Sequence, residues 1–283
     1  MAEVAQELAA WKRETRDFLL QDASAAASAA LKELERLDLL WGRIRFSRSA
    51  STVAIKADVR GHLVVLANLE VKLPSKSARS SAVLAALQQY CVLNQILEFH
   101  AIVQTQRGRL AALKGFLDSQ QEELGSGDLQ HADLDSYIDT VQATFQSLTR
   151  VCADLRNAAN VLRLPSRRRF PYSSHVDHTF KSPLPPELVV DFSIHRGELL
   201  IEVFSVVASQ KIPAAIPEGC ATKKEFAGCV CNLRGQRVEI ADYASIAVPI
   251  PQIEEMLSHL DAQVAWLVRV RDNTKALLDC HLA

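Results

Sequence analysis

The stretch that decides the fold is LDSYIDTVQATFQSLTRVCADLRNAANVLR, residues 134–163. Its apolar side chains recur in alternating steps of four and three residues, at Leu134, Ile138, Val141, Phe145, Leu148, Cys152, Leu155, Ala159 and Leu162. This spacing is the heptad pattern of a helix that packs along one seam. Asp133 is suited to cap the start of the helix, and Pro165 to end it. At 1.5 Å per residue, we expect the helix to be roughly 45 Å long.

Three other segments favour helices. Residues 5–39 contain no Gly or Pro and are rich in strong helix formers. A second helix is predicted from Ser75 or Ser77 to Leu117, and the last one from Gln252 to His281. Because an isolated helix is only marginally stable in water, apolar stripes of this length need partner helices.

Two blocks between the helices change to the alternating pattern of β-strands. The strand-like runs are residues 43–46, 52–58 and 63–71 in the first block, and 188–194, 198–207, 226–231 and 237–240 in the second. Arg-Gly pairs separate neighbouring runs at Arg60-Gly61, Arg196-Gly197 and Arg234-Gly235. Glycine can adopt the positive φ that a tight hairpin requires, so we predict three hairpins.

The order of these elements predicts the fold class. We expect an α+β protein, with an elongated antiparallel four-helix bundle and an antiparallel β domain of hairpins at one end. The bundle is discontinuous and takes residues 1–40, 75–165 and 249–283, whereas the β domain takes residues 41–74 and 184–248. In an antiparallel bundle both strand blocks emerge at the same end, which allows them to join.

The composition indicates a soluble globular protein. Apolar residues make up 48% of the chain, and Lys+Arg 32 against Asp+Glu 33 give a net charge of -1. A nucleic-acid binder usually shows a basic excess, so we expect no nucleic-acid partner. No apolar run approaches the ~20 residues of a membrane helix, and the N-terminus lacks a signal pattern. We therefore expect a cytoplasmic protein without a transmembrane segment.

No motif supplies a complete catalytic or metal-binding set, so we expect neither enzymatic activity nor a cofactor. The sequence has no G-x-S-x-G elbow and no Gly-rich phosphate loop. His175 and His178 have H-x-x-H spacing, and Cys220, Cys229 and Cys231 could form a zinc site with a distant histidine. The alternative interpretation is a solvated loop for the histidines and reduced, mostly buried thiols for the cysteines.

The candidate partner-binding site is the run Arg167, Arg168 and Arg169. It lies in a Pro-rich connector that extends from Ser166 to Pro186. Such a charge run is usually a solvated segment. The other interpretation is a contact with an acidic partner or with anionic lipid.

Four stretches carry a resemblance to a known family. They are residues 63–74, residues 161–165 (VLRLP), residues 184–204 with LPPELVVDFSI and LLIEVF, and residues 235–240 (GQRVEI). Together they resemble the Rogdi family, which includes the smaller subunit of the fungal RAVE complex (regulator of the ATPase of vacuolar and endosomal membranes). The heptad helix is similar to the leucine-zipper helix of that family, and the remaining stretches resemble its strands and hairpins.

The resemblance implies a non-catalytic protein-interaction subunit that promotes assembly of the vacuolar proton-pumping ATPase. The implied partners are the large WD-repeat subunit of the RAVE complex and the peripheral sector of the ATPase. The implied location is the cytoplasm, with peripheral recruitment to vacuolar or endosomal membranes. The alternative function is a homodimeric coiled-coil or membrane-associated scaffold. Because the seam uses Ala, Cys and Phe besides Leu, we expect it to pack within the chain.

Overall fold

The computed structural model describes residues 2–39, 42–72, 82–125, 134–165, 180–182, 184–212, 226–233 and 235–282. The chain divides into two compact units. The helical unit comprises Met1–Leu40, Phe99–Asn160 and Glu255–Ala283, and the sheet unit comprises Trp41–Glu98 and Val161–Glu254.

Helices account for most of the helical unit. Their bounds are α1 (Ala2–Asp17), a π-helix (Phe18–Ala23), α2 (Ser24–Leu39), α3 (Asn94–Gly125), α4 (Leu134–Arg163) and α5 (Pro251–Leu282). The first three follow one another without a break, so the long N-terminal helix predicted from the sequence contains a π-helical turn. Leu19 and Ala23 of this turn are buried. Hydrogen bonds in a π-helix join residues five apart instead of four. The side chains on either side of this turn therefore face different directions from those of an uninterrupted α-helix.

The buried stripe of α4 is broader than the predicted seam. Leu148 is fully buried, as the heptad pattern predicts, but Phe145 is only partly buried. Tyr137, Thr144 and Val151, which stand outside the predicted seam, are fully buried. The inward face of α4 is therefore rotated towards these residues. The buried positions form one stripe along α4, as expected of a helix that packs on one face and leaves the opposite face exposed.

The alanine-rich part of the N-terminal helical segment, at the end of the π-helix and the start of α2, is buried. Small side chains there allow a close approach, and the buried positions are Ala23, Ala26, Ala27 and Ala30. Polar bonds then link this segment to other helices. The Trp11 indole donates to the backbone oxygen of Leu277 at 3.0 Å, and Arg107 pairs with Glu35 at 3.3 Å.

The sheet unit contains two antiparallel sheets. The first has the order β1-β2-β3-β4, with β5 pairing to β3 beside β4. Its strands are β1 (Arg43–Ser49), β2 (Val53–Arg60), β3 (Leu63–Val71), β4 (Val83–Ala86) and β5 (Cys91–Val92). The second has the order β6-β7-β9-β8, formed by β6 (Leu188–His195), β7 (Glu198–Ala208), β8 (Val230–Leu233) and β9 (Gln236–Pro249).

The three predicted hairpins are present, with the glycine of each Arg-Gly pair in the turn. They connect β2 to β3, β6 to β7 and β8 to β9, and the φ angles of Gly61, Gly197 and Gly235 are 57°, 75° and 77°. The turn between β6 and β7 also caps a helix. The amides of Arg196 and Gly197 donate to the last carbonyl groups of α4, at 3.1 and 3.0 Å. Helix carbonyl groups that would otherwise lack a partner are satisfied in this way.

The side-chain amide of Gln95 hydrogen-bonds to the main chain at the outer edge of β6. Gln95, in the first turn of α3, accepts from the amide of Ile194 at 2.7 Å and donates to the carbonyl of Ile194 at 2.7 Å. The same nitrogen donates to the carbonyl of Val161 in α4 at 2.9 Å. Gln95 thus substitutes for a neighbouring strand and ties two helix ends to the sheet.

The α+β class is present, but the predicted arrangement is wrong. No elongated four-helix bundle is shown by the described residues, and the strands of the sheet unit form two separate antiparallel sheets. The prediction extended the second helix back to residue 75, whereas β4 and β5 occupy part of that stretch and α3 begins at Asn94. Because β3 binds these two short strands along its free edge, the first sheet is complete without strands from the second block.

Candidate functional site

The candidates proposed from the sequence fall mostly where the structure gives no description. Arg167, Arg168 and Arg169 lie outside the described residues, and so do His175, His178 and Cys220. Cys229 is partly buried and Cys231 is buried, and burial, followed by the proximity of Cys229, raises the pKa of the Cys231 thiol. Within the described ranges, no group of three or more His, Cys, Asp or Glu side chains is placed to hold a metal ion.

The first sheet offers a large open face. Alternate side chains of β2 and β3 are buried, including Ile55, Ala57, Leu69 and Val71. The opposite face, termed here the open face, carries mostly polar side chains. Strand register arranges them in cross-strand rows: Arg43–Arg60, Arg45–Asp58–Leu66, Ser47–Lys56–Asn68–Ala86 and Ser49–Ala54–Glu70–Leu84. Such alternation is typical of an antiparallel sheet with one solvated side.

Three arginines converge on one carboxylate in this face. The guanidinium of Arg43 donates to both oxygens of Asp58, with its Nε at 3.0 Å from Oδ1 and 2.8 Å from Oδ2. Arg45 lies at 3.4 Å and Arg60 at 3.8 Å from Oδ2. The hydrogen bond from Arg43 holds the pKa of Asp58 below its usual range, against the effect of burial. The charge of Arg43, a hydrogen bond from Arg45 and the charge of Arg60 lower this pKa further. The cluster therefore keeps an excess of positive charge.

A groove lies beside this cluster on the open face. It has a volume of about 560 Å³ and extends from β1 across β2 and β3 to β4 and residues 181–182. Lys56, Leu84 and Lys181 are among its lining residues. Leu84 is 74% exposed, which is unusual for a large apolar side chain in a strand. The groove can therefore offer cationic groups and one apolar contact to a ligand.

Ionisable groups in the second sheet form a different kind of cluster. Asp191 of β6 and Glu202 of β7 face each other in register and are fully buried. The Tyr243 hydroxyl donates to Glu202 at 2.8 Å. Burial and then the charge of Glu202 raise the pKa of Tyr243. Since these carboxylates have no exposed surface, we assign them a structural role in fixing strand register.

The open face was missed in the sequence, although a signal for it was present. Arg43 and Arg45 alternate with apolar residues, and Lys56, Asp58 and Arg60 do the same in the next strand. By itself this alternation predicts strands but not the face that their charged side chains share. When β1 and β2 pair in antiparallel register, the five charged side chains of these two strands lie on the same side of the sheet.

The fold and the open face define a class of protein: an α+β chain whose identifiable site is a charged surface. No helix in the described ranges is both long enough and apolar enough to cross a membrane. A family model described as Rogdi leucine zipper containing protein matches residues 59–245, more than half of the chain. The chain belongs to the Rogdi family, which is not a known enzyme family. Among curated protein sequences, none matches the chain.

Proposed function

We propose that this chain is a non-catalytic protein-interaction subunit of a RAVE-like complex that promotes assembly of the vacuolar proton-pumping ATPase. Membership in the Rogdi family is the observation that carries the proposal. Its partners are a large WD-repeat subunit and the peripheral sector of the ATPase. Its location is the cytoplasm, with peripheral recruitment to vacuolar or endosomal membranes.

The character of the exposed surface supports a binding role. The charged residues of the open face and the groove beside them are suited to hold another molecule by surface contacts. The side chains that titrate with shifted pKa, such as Asp58 and Tyr243, are engaged in ion pairing or buried hydrogen bonds. Binding through a surface of this kind requires no catalytic group.

The burial of α4 favours this proposal over a homodimeric coiled coil. A zipper dimer would place the heptad seam between two copies of the chain. Val141, Leu148 and Leu155 of that seam are instead fully buried within the single chain. Pairing of two α4 helices would require the helical unit to open, with the loss of these contacts.

The proposal is tested by affinity purification of the tagged full chain from extract of its own cells. We expect the WD-repeat subunit and peripheral-sector subunits of the vacuolar ATPase to co-purify, and we expect reduced vacuolar acidification when the chain is deleted. The matched control is an unrelated protein with the same tag at similar abundance. Purification that recovers neither partner class, together with normal acidification in the deletion strain, would refute the proposal.

A further inference from the structure

The open face has more cationic groups than carboxylates, although the whole chain is nearly neutral. Its basic side chains are Arg43, Arg45, Lys56, Arg60, Lys72 and Lys181, against the carboxylates of Asp58 and Glu70. The net charge of the chain is -1. One side of one sheet therefore carries a local excess of positive charge, which attracts anionic groups over about a Debye length.

Most of these cations already have a partner. Asp58 binds Arg43 and lies close to Arg45 and Arg60, and Glu70 pairs with Lys72 at 2.9 Å. Lys56 and Lys181 differ from them, because neither has an ion pair with any described residue. Both are exposed and both line the groove. Their ammonium groups are thus available to an incoming carboxylate.

The groove has the dimensions of a short peptide. It crosses four neighbouring strands, and adjacent strands are about 4.8 Å apart, so its length is about 14 Å or slightly more. An extended chain covers this length with about four or five residues. Ala54 and Ala86 contribute only small side chains to the lining of the groove, whereas Leu84 contributes a large, exposed apolar side chain.

We propose that the groove on the open face binds a short acidic segment of a partner protein. Carboxylates of the segment pair with Lys56 and Lys181, and an apolar side chain between them packs on Leu84. This inference rests on the proposed function, because it takes the ligand to be a protein partner. Charge complementarity selects the acidic segment, and the length of the groove, equal to about four or five extended residues, selects a peptide.

The test uses the purified full chain and fluorescein-labelled synthetic peptides. One peptide contains Asp and Glu around a central Leu, and the control peptide replaces every acid by its amide. We expect saturable binding of the acidic peptide by fluorescence anisotropy, with affinity that falls as salt is added and at least about tenfold weaker binding of the amide peptide. Equal binding of the two peptides would overturn the inference.

Variants locate the binding site. The double variant K56E/K181E should weaken binding of the acidic peptide by about tenfold or more, since two attractions become repulsions. The control R269E/K275E makes the same change in net charge at exposed positions of α5 and should bind like wild type. Thermal melting establishes that both variants are folded. Wild-type affinity of a folded K56E/K181E variant would contradict the inference, as would equal weakening by both variants.

Two further measurements distinguish lipid binding from peptide binding at the groove, and failure of this inference from failure of the proposed function. Vesicles containing anionic phosphatidylserine replace the peptide in a sedimentation assay. Loss of vesicle binding in K56E/K181E with no change in peptide binding would assign the groove to lipid and refute the inference. In extract, a K56E/K181E chain that retains the WD-repeat and ATPase partners refutes the inference and leaves the proposed function intact. A wild-type chain that recovers neither partner refutes the proposed function, whatever the peptide result.

Discussion

Replacement of Gln95 by alanine should destabilise the sheet unit. The Gln95 amide makes three short hydrogen bonds with main-chain groups, at 2.7, 2.7 and 2.9 Å, two to Ile194 and one to Val161. Ile194 is fully buried, so water cannot easily replace the lost partner. A net hydrogen bond contributes about 1 kcal/mol, and a buried polar group left without a partner costs about 1–3 kcal/mol. Together these values predict a loss of about 2–4 kcal/mol for Gln95→Ala.

This loss is a large fraction of the total stability of a typical protein, which is about 5–15 kcal/mol. For a protein of this size each kcal/mol corresponds to about 2–4 °C, so the melting temperature should fall by roughly 5–15 °C. Circular dichroism melting and urea unfolding measure the change. Hydrogen exchange at the amide of Ile194 should accelerate, because that amide loses its acceptor.

The matched control is Gln104→Ala on the same helix. Gln104 is exposed and accepts a surface hydrogen bond from Arg107 at 3.0 Å, so its removal should change stability by no more than about 0.5 kcal/mol. A Gln95→Ala variant that melts within a degree of wild type, with unchanged exchange at Ile194, would refute the assignment of Gln95 as the substitute for a strand at the edge of β6.

Three further predictions concern the core, the charged cluster and a turn. Leu148→Asp should lose about 4 kcal/mol or more, because a fully buried leucine is replaced by a carboxyl group without a partner; a melting curve like that of wild type would contradict the burial of α4. Arg43 holds the pKa of Asp58 in the folded protein below its value in the unfolded chain, which is about 4. The ion pair therefore stabilises the fold fully above about pH 4, and this stabilisation is lost as the pH falls through the lower folded pKa. Urea midpoints between pH 2 and 7 should therefore depend less on pH in Asp58→Asn, and an identical dependence would show that the pair does not stabilise the fold. Arg196 has a φ of 55°, in the left-handed region that asparagine adopts more readily than arginine. Arg196→Asn should therefore raise the free energy of unfolding by up to about 1 kcal/mol, and a lower melting temperature would disprove that reasoning.

Local patterns in the sequence predicted the features that depend on neighbouring residues. The steps of four and three in residues 134–163 identified α4, whose bounds agree closely with the prediction. The Arg-Gly pairs identified three hairpins, because a tight turn needs a residue that tolerates positive φ. Both signals act over a few residues, so no knowledge of the rest of the chain is needed to read them.

Features that depend on distant pairing were not predictable in the same way. Strands β4 and β5 have four and two residues, too few to show a period, and they exist as strands because β3 offers them a free edge. Consequently the start of α3 was placed too early, and the first sheet was not expected to be complete by itself. Non-local pairing is decided by the assembled sheet rather than by the propensity of each segment.

The sequence by itself determined the long helices, the hairpin turns and the alternation of the strands, because backbone geometry imposes a fixed period on each element. The tertiary structure decided what those elements do together. Only strand register brings Arg43, Arg45 and Arg60 to Asp58. Only strand pairing, together with the bridge between Leu87 and Phe180, brings Lys56, Leu84 and Lys181 to one groove. Binding surfaces of this kind combine residues that are far apart in the chain, so their chemistry appears only when the sheet has formed.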